Sequence, residues 1–413
     1  MKIAIVGGFL FPFGDAAGAR CRMMALSLTA RGAEVVVISQ LPFQPRQADR
    51  GSDGRYFYGG VRYYSSLEQD TVQKSYVRSA RNIFAAASES AAILEREIRE
   101  DGVDLVMFSG SYNIYLLPIL RMARRYGIPI IGEVMEWFSS FVFYGGYIHP
   151  LAWDHELCMR CTNKRLDGLI VISSCLEAYY RRSKREILLV PPLCQYPEEK
   201  PRWVADDSIF RIGYFGRPTE KDGIYDLVES MRLLAAEGRA FEFLLAGDDG
   251  RPGHLAGVRR IVAESELLRT RTKILGKVPQ ERIAEVFREC HVLVMARPNA
   301  RFSRAGMPQK LPEYMALGRP VVVSNVGDIG RYVRDRVDGR LVEAGRPEKF
   351  AGAIGEIMDL PDRGLAMGRS AWRRGGEVFN AETHAGRILD FFERIVADHK
   401  CNMSGAELMK PIL

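Results

Sequence analysis

The stretch Gly216-Arg217-Pro218-Thr219-Glu220-Lys221-Asp222-Gly223 sets two cations four residues apart between flanking glycines. It follows an apolar run that reads as a strand, residues 210–216, and precedes a run that reads as a helix, residues 225–238. A strand end that turns into a helix offers free backbone N–H groups and the positive end of the helix dipole, so Arg217 and Lys221 there suit a diphosphate. A second stretch, Pro308-Gln309-Lys310-Leu311-Pro312-Glu313-Tyr314-Met315-Ala316-Leu317-Gly318-Arg319-Pro320-Val321-Val322-Val323, reads as a short helix entering a buried strand. The amides of Gln309, Lys310 and Leu311 open that helix, and Glu313, one turn in, is a carboxylate able to accept two hydrogen bonds from a ribose diol. Each feature also has a plainer reading, as solvated basic residues in a turn or as a solvent-facing helix glutamate. Their order along the chain has to decide.

The elements that must position these residues alternate between strand and helix. Residues 2–7 read as a buried parallel strand, 14–18 as a glycine loop, 20–31 as a helix and 34–39 as a second buried strand, which is a βαβ unit. The alternation continues with a helix over 73–99, strands at 105–108, 129–132 and 168–172, and helices between them. Residues 186–201, with Pro191-Pro192 and Pro197-Glu198-Glu199-Lys200-Pro201, read as a linker. Beyond it come strands at 210–216, 241–247, 273–276, 292–295 and 320–323, with helices over 225–238, 279–289 and 310–317. A chain of 413 residues is too long for one ordinary core. The expectation is therefore two doubly wound α/β domains, residues 1–195 and 202–381, with ligands beyond the carboxyl ends of the strands in a cleft between them. Residues 382–398 read as a long amphipathic helix, and those after Lys400 as a disordered tail.

In that order, the glycine-arginine, the lysine-x-glycine, Ala246-Gly247-Asp248 at a strand end, Gly276-Lys277-Val278 and the P-x-K-L-x-E-Y-M-A-x-G-x-P-V-V block form a specific series. The series resembles the retaining GT-B glycosyltransferases of the glycogen-synthase-like family, of glycosyltransferase family 4 type, over about residues 212–351. The resemblance implies two Rossmann-like domains facing a central cleft, with the C-terminal helix returning to the first. It implies transfer of a sugar from a nucleoside-diphosphate sugar to an acceptor hydroxyl on a glycan, a lipid-linked or a small molecule, with anomeric configuration retained. Gly216 would then lie at the donor, Arg217 and Lys221 on the diphosphate, Lys277 and Val278 around the base, and Glu313 on the ribose. Family members often carry a further glutamate eight residues before Glu313, and here that position is Ala305, with Arg304 and Gln309 the nearest polar substitutes. In the first domain, the loop holding Gly14 and Gly18 resembles the family's N-terminal loop against donor and acceptor, where glycine lets backbone approach a ligand closely. Glu133 stands where the family has a polar group at the reaction centre, with Glu136 and Trp137 beside it for the acceptor. The aromatic run over 138–150 reads as an acceptor lid or as core.

Composition narrows the remaining classes. With 47% hydrophobic and 26% charged residues, the chain reads as a globular enzyme rather than a disordered or fibrous one. The formal charge of +7 admits phosphorylated substrates, anionic lipid or nucleic acid, and the sites favour the first. Arg121, Arg124 and Arg125, with Arg181, Arg182, Lys184 and Arg185, would suit peripheral contact with an anionic membrane from the cytoplasm or a phosphate-bearing acceptor, a solvated surface being the plainer reading. The Met1 start runs straight into a strand, without the long apolar stretch of a signal peptide. Cys158 and Cys161 have the spacing of half a zinc site, but no second pair at metal spacing follows. No metal and no resident cofactor are expected, and the sugar nucleotide is a co-substrate. Neither domain shows the G-x-G-x-x-G of dinucleotide oxidoreductases. A sugar-nucleotide epimerase or hydrolase of the same fold and a non-catalytic sugar-nucleotide-binding protein remain the alternatives.

Overall fold

The computed structural model describes residues 1–41, 49–52, 54–66, 76–139, 146–197, 201, 209–248 and 253–408. The chain forms two compact units, Met1–Leu193 with Ala381–Leu413, and Cys194–Asn380.

The first unit is built on an eight-stranded sheet of β1 (Lys2–Gly7), β2 (Glu34–Ser39), β3 (Tyr56–Tyr58), β4 (Val61–Ser65), β5 (Leu105–Ser109), β6 (Ile130–Val134), β7 (Gly168–Val171) and β8 (Glu186–Leu189). The strand order is β3-β4-β2-β1-β5-β6-β7-β8, parallel throughout except where β3 meets β4. Every residue of β1, β5, β6 and β7 is buried, as parallel strands covered on both faces require. The edge hairpin β3–β4 escapes the sequence reading. Its signal is Gly59-Gly60, with φ of 55° and 82°, the two left-handed residues that a tight hairpin turn demands. The expected linker is also shorter than 186–201. Its first four residues form β8, paired in parallel with β7, so the proline pair follows a strand instead of sitting in a connector.

Two helices fix this unit. The helix Ala16–Thr29 starts at Asp15, whose carboxylate accepts from the Gly18 N–H at 2.6 Å. The helix Ala381–Leu408 puts Ile388, Phe391, Phe392 and Ile395 into the same core as Ile3, Ile5, Ile131 and Ile170. It lies so close to β7 that a Cβ on Gly168 would stand 2.9 Å from Ile395 Cδ1 and 3.0 Å from Phe391 Cζ. It also runs on to Leu408, where a disordered tail after Lys400 was expected; only residues 409–413 fall outside the described part.

The second unit holds β9 (Phe210–Phe215), β10 (Phe241–Ala246), β11 (Thr272–Gly276), β12 (Val292–Met295), β13 (Val321–Ser324) and β14 (Gly339–Val342), all parallel, in the order β11-β10-β9-β12-β13-β14. The chain steps outward from β9 to β11, then returns to lay β12 on the other side of β9. The crevice at that reversal, beyond the carboxyl ends of β9 and β12, is where open α/β sheets take ligands.

Because Phe391 is fully buried in the core of the first unit, Phe391→Ala is expected to lower that unit's unfolding free energy by about 3–5 kcal/mol. Urea denaturation measures the change, and a loss under about 1 kcal/mol would show that the helix adds nothing to the core.

Candidate functional site

At the carboxyl ends of β9, β10 and β11, glycines are laced together by their backbones. Gly216 donates to the Ala246 carbonyl at 2.9 Å, and Gly247 donates to the Gly276 carbonyl at 2.7 Å. A Cβ on Gly247, which has φ of +138°, would stand 1.8 Å from the Gly216 carbonyl oxygen, so no side chain fits there. Gly216 has φ of +137°, and a Cβ on it would stand 1.8 Å from Lys310 Cε. Its missing side chain is the space through which the Lys310 stem passes.

Lys310 reaches Asp222 in a buried ion pair and donates to Tyr214 Oη at 3.1 Å. Tyr214 in turn donates to Asp222 Oδ2 at 3.0 Å, with the Arg217 carbonyl a second acceptor at 2.8 Å. These contacts tie the turn after β9 to the helix Lys310–Ala316, which follows β12. The neighbouring turn ends at Gly223, φ +64°, where a Cβ would stand 1.7 Å from the Ala296 carbonyl oxygen. That backbone contact holds Asp222 and Lys221 beside the residue after Ala296, which is Arg297. The guanidinium of Arg297 and the ammonium of Lys221 lie over the Phe302 ring, 5.8 and 6.0 Å from its centroid.

The charges act on one another strongly. Burial alone would raise the Asp222 carboxyl, but the Lys310 ammonium, then Arg297 and Lys221, outweigh it and hold the group below its ordinary value. Lys310 moves the other way. Burial lowers its ammonium, Asp222 opposes the change, and Arg297 and Lys221 add to the lowering. Burial and then the Asp222 carboxylate push the Tyr214 phenol up. Three cations thus surround Asp222 at the reversal point of the sheet.

Of the residues expected at a donor site, the structure gathers Gly216, Lys221 and Lys310 at this point. Arg217 follows Gly216 directly, with its backbone fixed by Tyr214 and its side chain exposed. Glu313 is half-buried in the first turn of its helix, and Gln309 is half-buried just before it. The Leu311 side chain is fully buried, and its N–H donates to the Pro308 carbonyl at 3.2 Å inside the turn. Lys277 is exposed and Val278 half-buried beyond the end of β11. Arg304 is exposed and donates to Asn299 Oδ1 at 2.9 Å, while Ala305 beside it is fully buried.

Asp222, Tyr214 and Arg297 were not singled out by sequence. The available signal for Arg297 is its place two residues beyond the wholly apolar strand β12, where a cation has to leave the core or meet an anion.

In the first unit the expected residues do different work. Glu133 is 1% exposed, with Oε1 accepting from Arg20 Nε at 2.7 Å and Oε2 from Ser109 Oγ at 2.7 Å. Arg20 also donates to the carbonyls of Pro191 and Val190, so this pair ties the first helix to β6 and to the chain after β8. Removing one partner of such a pair leaves a buried charge uncompensated, at a cost of about 3–5 kcal/mol. Both oxygens of Glu133, the residue expected near the reaction centre, are thus engaged in contacts that hold the fold. Trp137, expected at the acceptor, is buried, donates Nε1–H to Glu156 Oε1 at 3.1 Å and packs edge-on against Tyr179. Glu136 is half-buried just before it. Gly14 adopts φ of +146°, which suits glycine in its turn, whereas Gly18 is needed for packing, because a Cβ there would stand 1.9 Å from the Leu10 carbonyl oxygen. Phe138 donates its N–H to Nε2 of the buried His155, whose Nδ1 lies 2.8 Å from the Ser111 carbonyl. The rest of the aromatic run falls largely on residues 140–145, outside the described part.

Among the described residues, no helix is long and apolar enough to cross a membrane, and no three metal-ligating side chains converge.

Two family models match the chain. One, described as a glycosyl transferase 4-like domain, covers residues 15–192, and the other, described as glycosyl transferases group 1, covers residues 209–359. Among curated relatives, the D-inositol 3-phosphate glycosyltransferase of Streptomyces griseus is 35% identical over 123 residues, 30% of this chain and 25% of the relative. The 2-deoxystreptamine glucosyltransferase of Streptomyces kanamyceticus is 26% identical over 189 residues, 46% of each chain. In these pairs the chain spans from a quarter to under half of the relative's length. Among solved structures, sucrose-phosphate synthase from Thermosynechococcus elongatus superposes with a TM-score of 0.72 at 20% identity, over 96% of this chain and 99% of the other. Anabaena Alr3699/HepE in complex with UDP and glucose gives 0.68 at 15% identity, over 95% and 100%. These likenesses extend over both units and establish the GT-B fold. By its two matched domains and its fold, the chain belongs to the GT-B glycosyltransferases of family 4 type.

Proposed function

We propose that this chain moves a sugar from a nucleoside-diphosphate sugar to an acceptor hydroxyl, with retention of anomeric configuration and without a metal ion. The supporting observation is the excess of cationic side chains around Asp222 beyond the carboxyl ends of β9 and β12. When the sugar leaves, negative charge grows on the departing diphosphate, and fixed cations already held in a poorly solvated place stabilise that charge without reorganising. Lys221 and Lys310 are held there by the fold, and Arg217 stands at the exposed edge, where it can meet a ligand arriving from solvent. In this reading the cations take the part that a divalent ion plays at other phosphate-transfer sites.

The donor is read as a UDP- or GDP-sugar, with support from the UDP bound in the Anabaena structure. The acceptor is a glycan, a lipid-linked or a small molecule, in keeping with relatives named for an inositol phosphate and for 2-deoxystreptamine. The exposed Arg121, Arg124, Arg125, Arg181 and Arg182 suit peripheral contact with an anionic membrane from the cytoplasmic side. The alanine at position 305 leaves the choice of donor sugar to Arg304, Gln309 and their neighbours.

Replacing both Arg217 and Lys221 by Ala should weaken UDP or GDP binding about tenfold or more in calorimetry, and should abolish metal-free release of nucleoside diphosphate from the matching sugar nucleotide. Unchanged affinity would place the diphosphate elsewhere and end this reading.

Glu313 is assigned to the ribose. A ribose clamp holds ground and transition states nearly alike, so Glu313→Ala should raise the donor KM with little change in kcat. The 2′-deoxyribose donor cannot make the full contact, so it should lose less than the ribose donor when Glu313 is removed. Equal penalties for the two donors would take Glu313 off the ribose.

A further inference from the structure

Arg297 poses an electrostatic problem that the fold by itself does not solve. It is 3% exposed, its Nε is buried without a hydrogen bond, and no hydrogen bond or ion pair among the described residues involves its guanidinium. A guanidinium keeps its charge at all accessible pH and carries five N–H donors. Burying one unpaired is strongly unfavourable, and the ring of Phe302 offsets only part of that. The nearest carboxylate of the cluster, Asp222, is already committed to Lys310 and Tyr214. Lys221 adds a further positive charge over the same ring. Nothing about the backbone calls for an arginine here, since the contact between Gly223 and the Ala296 carbonyl would form with any residue at position 297. A buried, unpaired fork of donors beside two ammonium groups is the arrangement that recognises a polyanion with several oxygens.

We propose that Arg297 is a third cation of the donor site and takes phosphate oxygens of the nucleoside diphosphate alongside Lys221 and Lys310. This rests on the donor reading above and adds to it a residue that the free protein holds at a cost in stability. The anion offsets that cost on binding, so part of the affinity for diphosphate comes from relieving the unpaired charge.

The experiment compares wild type, Arg297→Met and Arg297→Lys by calorimetry with inorganic pyrophosphate, UDP and GDP, and by thermal melting without ligand. Arg297→Met should bind pyrophosphate and the nucleoside diphosphates about tenfold or more weakly. Its melting temperature without ligand should be equal to or above that of wild type, because an unpaired buried charge is gone. Arg297→Lys keeps the charge without the fork, should fold whatever the fate of the Met variant, and should bind with intermediate affinity. Wild-type affinity in both variants overturns the proposal. So does a Met variant that melts well below wild type while the Lys variant binds as wild type, which would make the charge structural. Comparing UDP-glucose with UDP-glucuronate separates the other source of anionic oxygens. Loss confined to the uronate donor, with pyrophosphate binding intact, would place Arg297 on a sugar carboxylate and overturn the assignment to phosphate. If wild type binds none of the three diphosphates, the donor reading itself fails; if wild type binds and the Arg297 variants match it, only the present proposal does.

Discussion

The ion pair between Lys310 and Asp222 joins the two halves of the second sheet at the place where its strand order reverses. Asp222 belongs to the turn after β9, and Lys310 to the helix that follows β12, so the pair spans 88 positions of sequence. Gly216 leaves room for the lysine stem, and Tyr214 bridges the pair, accepting from Lys310 and donating to Asp222. A buried ion pair contributes little net stability once desolvation is counted, and its value lies in fixing one geometry. Here it fixes the distance between the β9 turn and the Lys310 helix, and with it the positions of Lys221, Arg297 and Glu313.

The same fold carries opposite electrostatic solutions in its two units. At the carboxyl ends of β5 and β6 in the first unit, Glu133 is met by Arg20 and Ser109, and Arg20 is met by two backbone carbonyls, so the charges there are closed within the protein. Beyond β9 and β12 of the second unit, the cations outnumber the carboxylate they surround, and a guanidinium is left without a hydrogen bond or ion pair among the described residues. Two sheets with nearly the same strand order therefore present unlike ends. The surplus of charge, rather than the fold, marks the second as the place for an anion.

Glycine does the fine positioning in both units. Gly168 lets the C-terminal helix rest on β7, Gly18 brings the first helix against the Leu10 carbonyl, and Gly223 sets the cationic turn against Ala296. In each case the contact is backbone or core against the glycine itself, so any side chain would push the elements apart. In the second unit, Gly216 and Gly247 combine such a contact with a place at the carboxyl ends of the strands.

The sequence by itself determined the alternation of buried strands and amphipathic helices, the two units, the C-terminal helix, and the cationic turn from Gly216 to Gly223, because these depend on local periodicity and on glycines at strand ends. It missed the β3–β4 hairpin, whose strands are only three and five residues long, and it mistook Glu186–Leu189 for linker because a proline pair follows those four residues. It also ended the last helix too early. Only the tertiary structure decided which polar atoms are already taken: the Leu311 N–H by Pro308, the Glu133 oxygens by Arg20, 113 positions away, and by Ser109. It likewise decided that Arg297 has no hydrogen bond or ion pair among the described residues. Whether a charged group is satisfied depends on neighbours brought up by the fold from distant parts of the chain, and residue type and spacing carry no record of that.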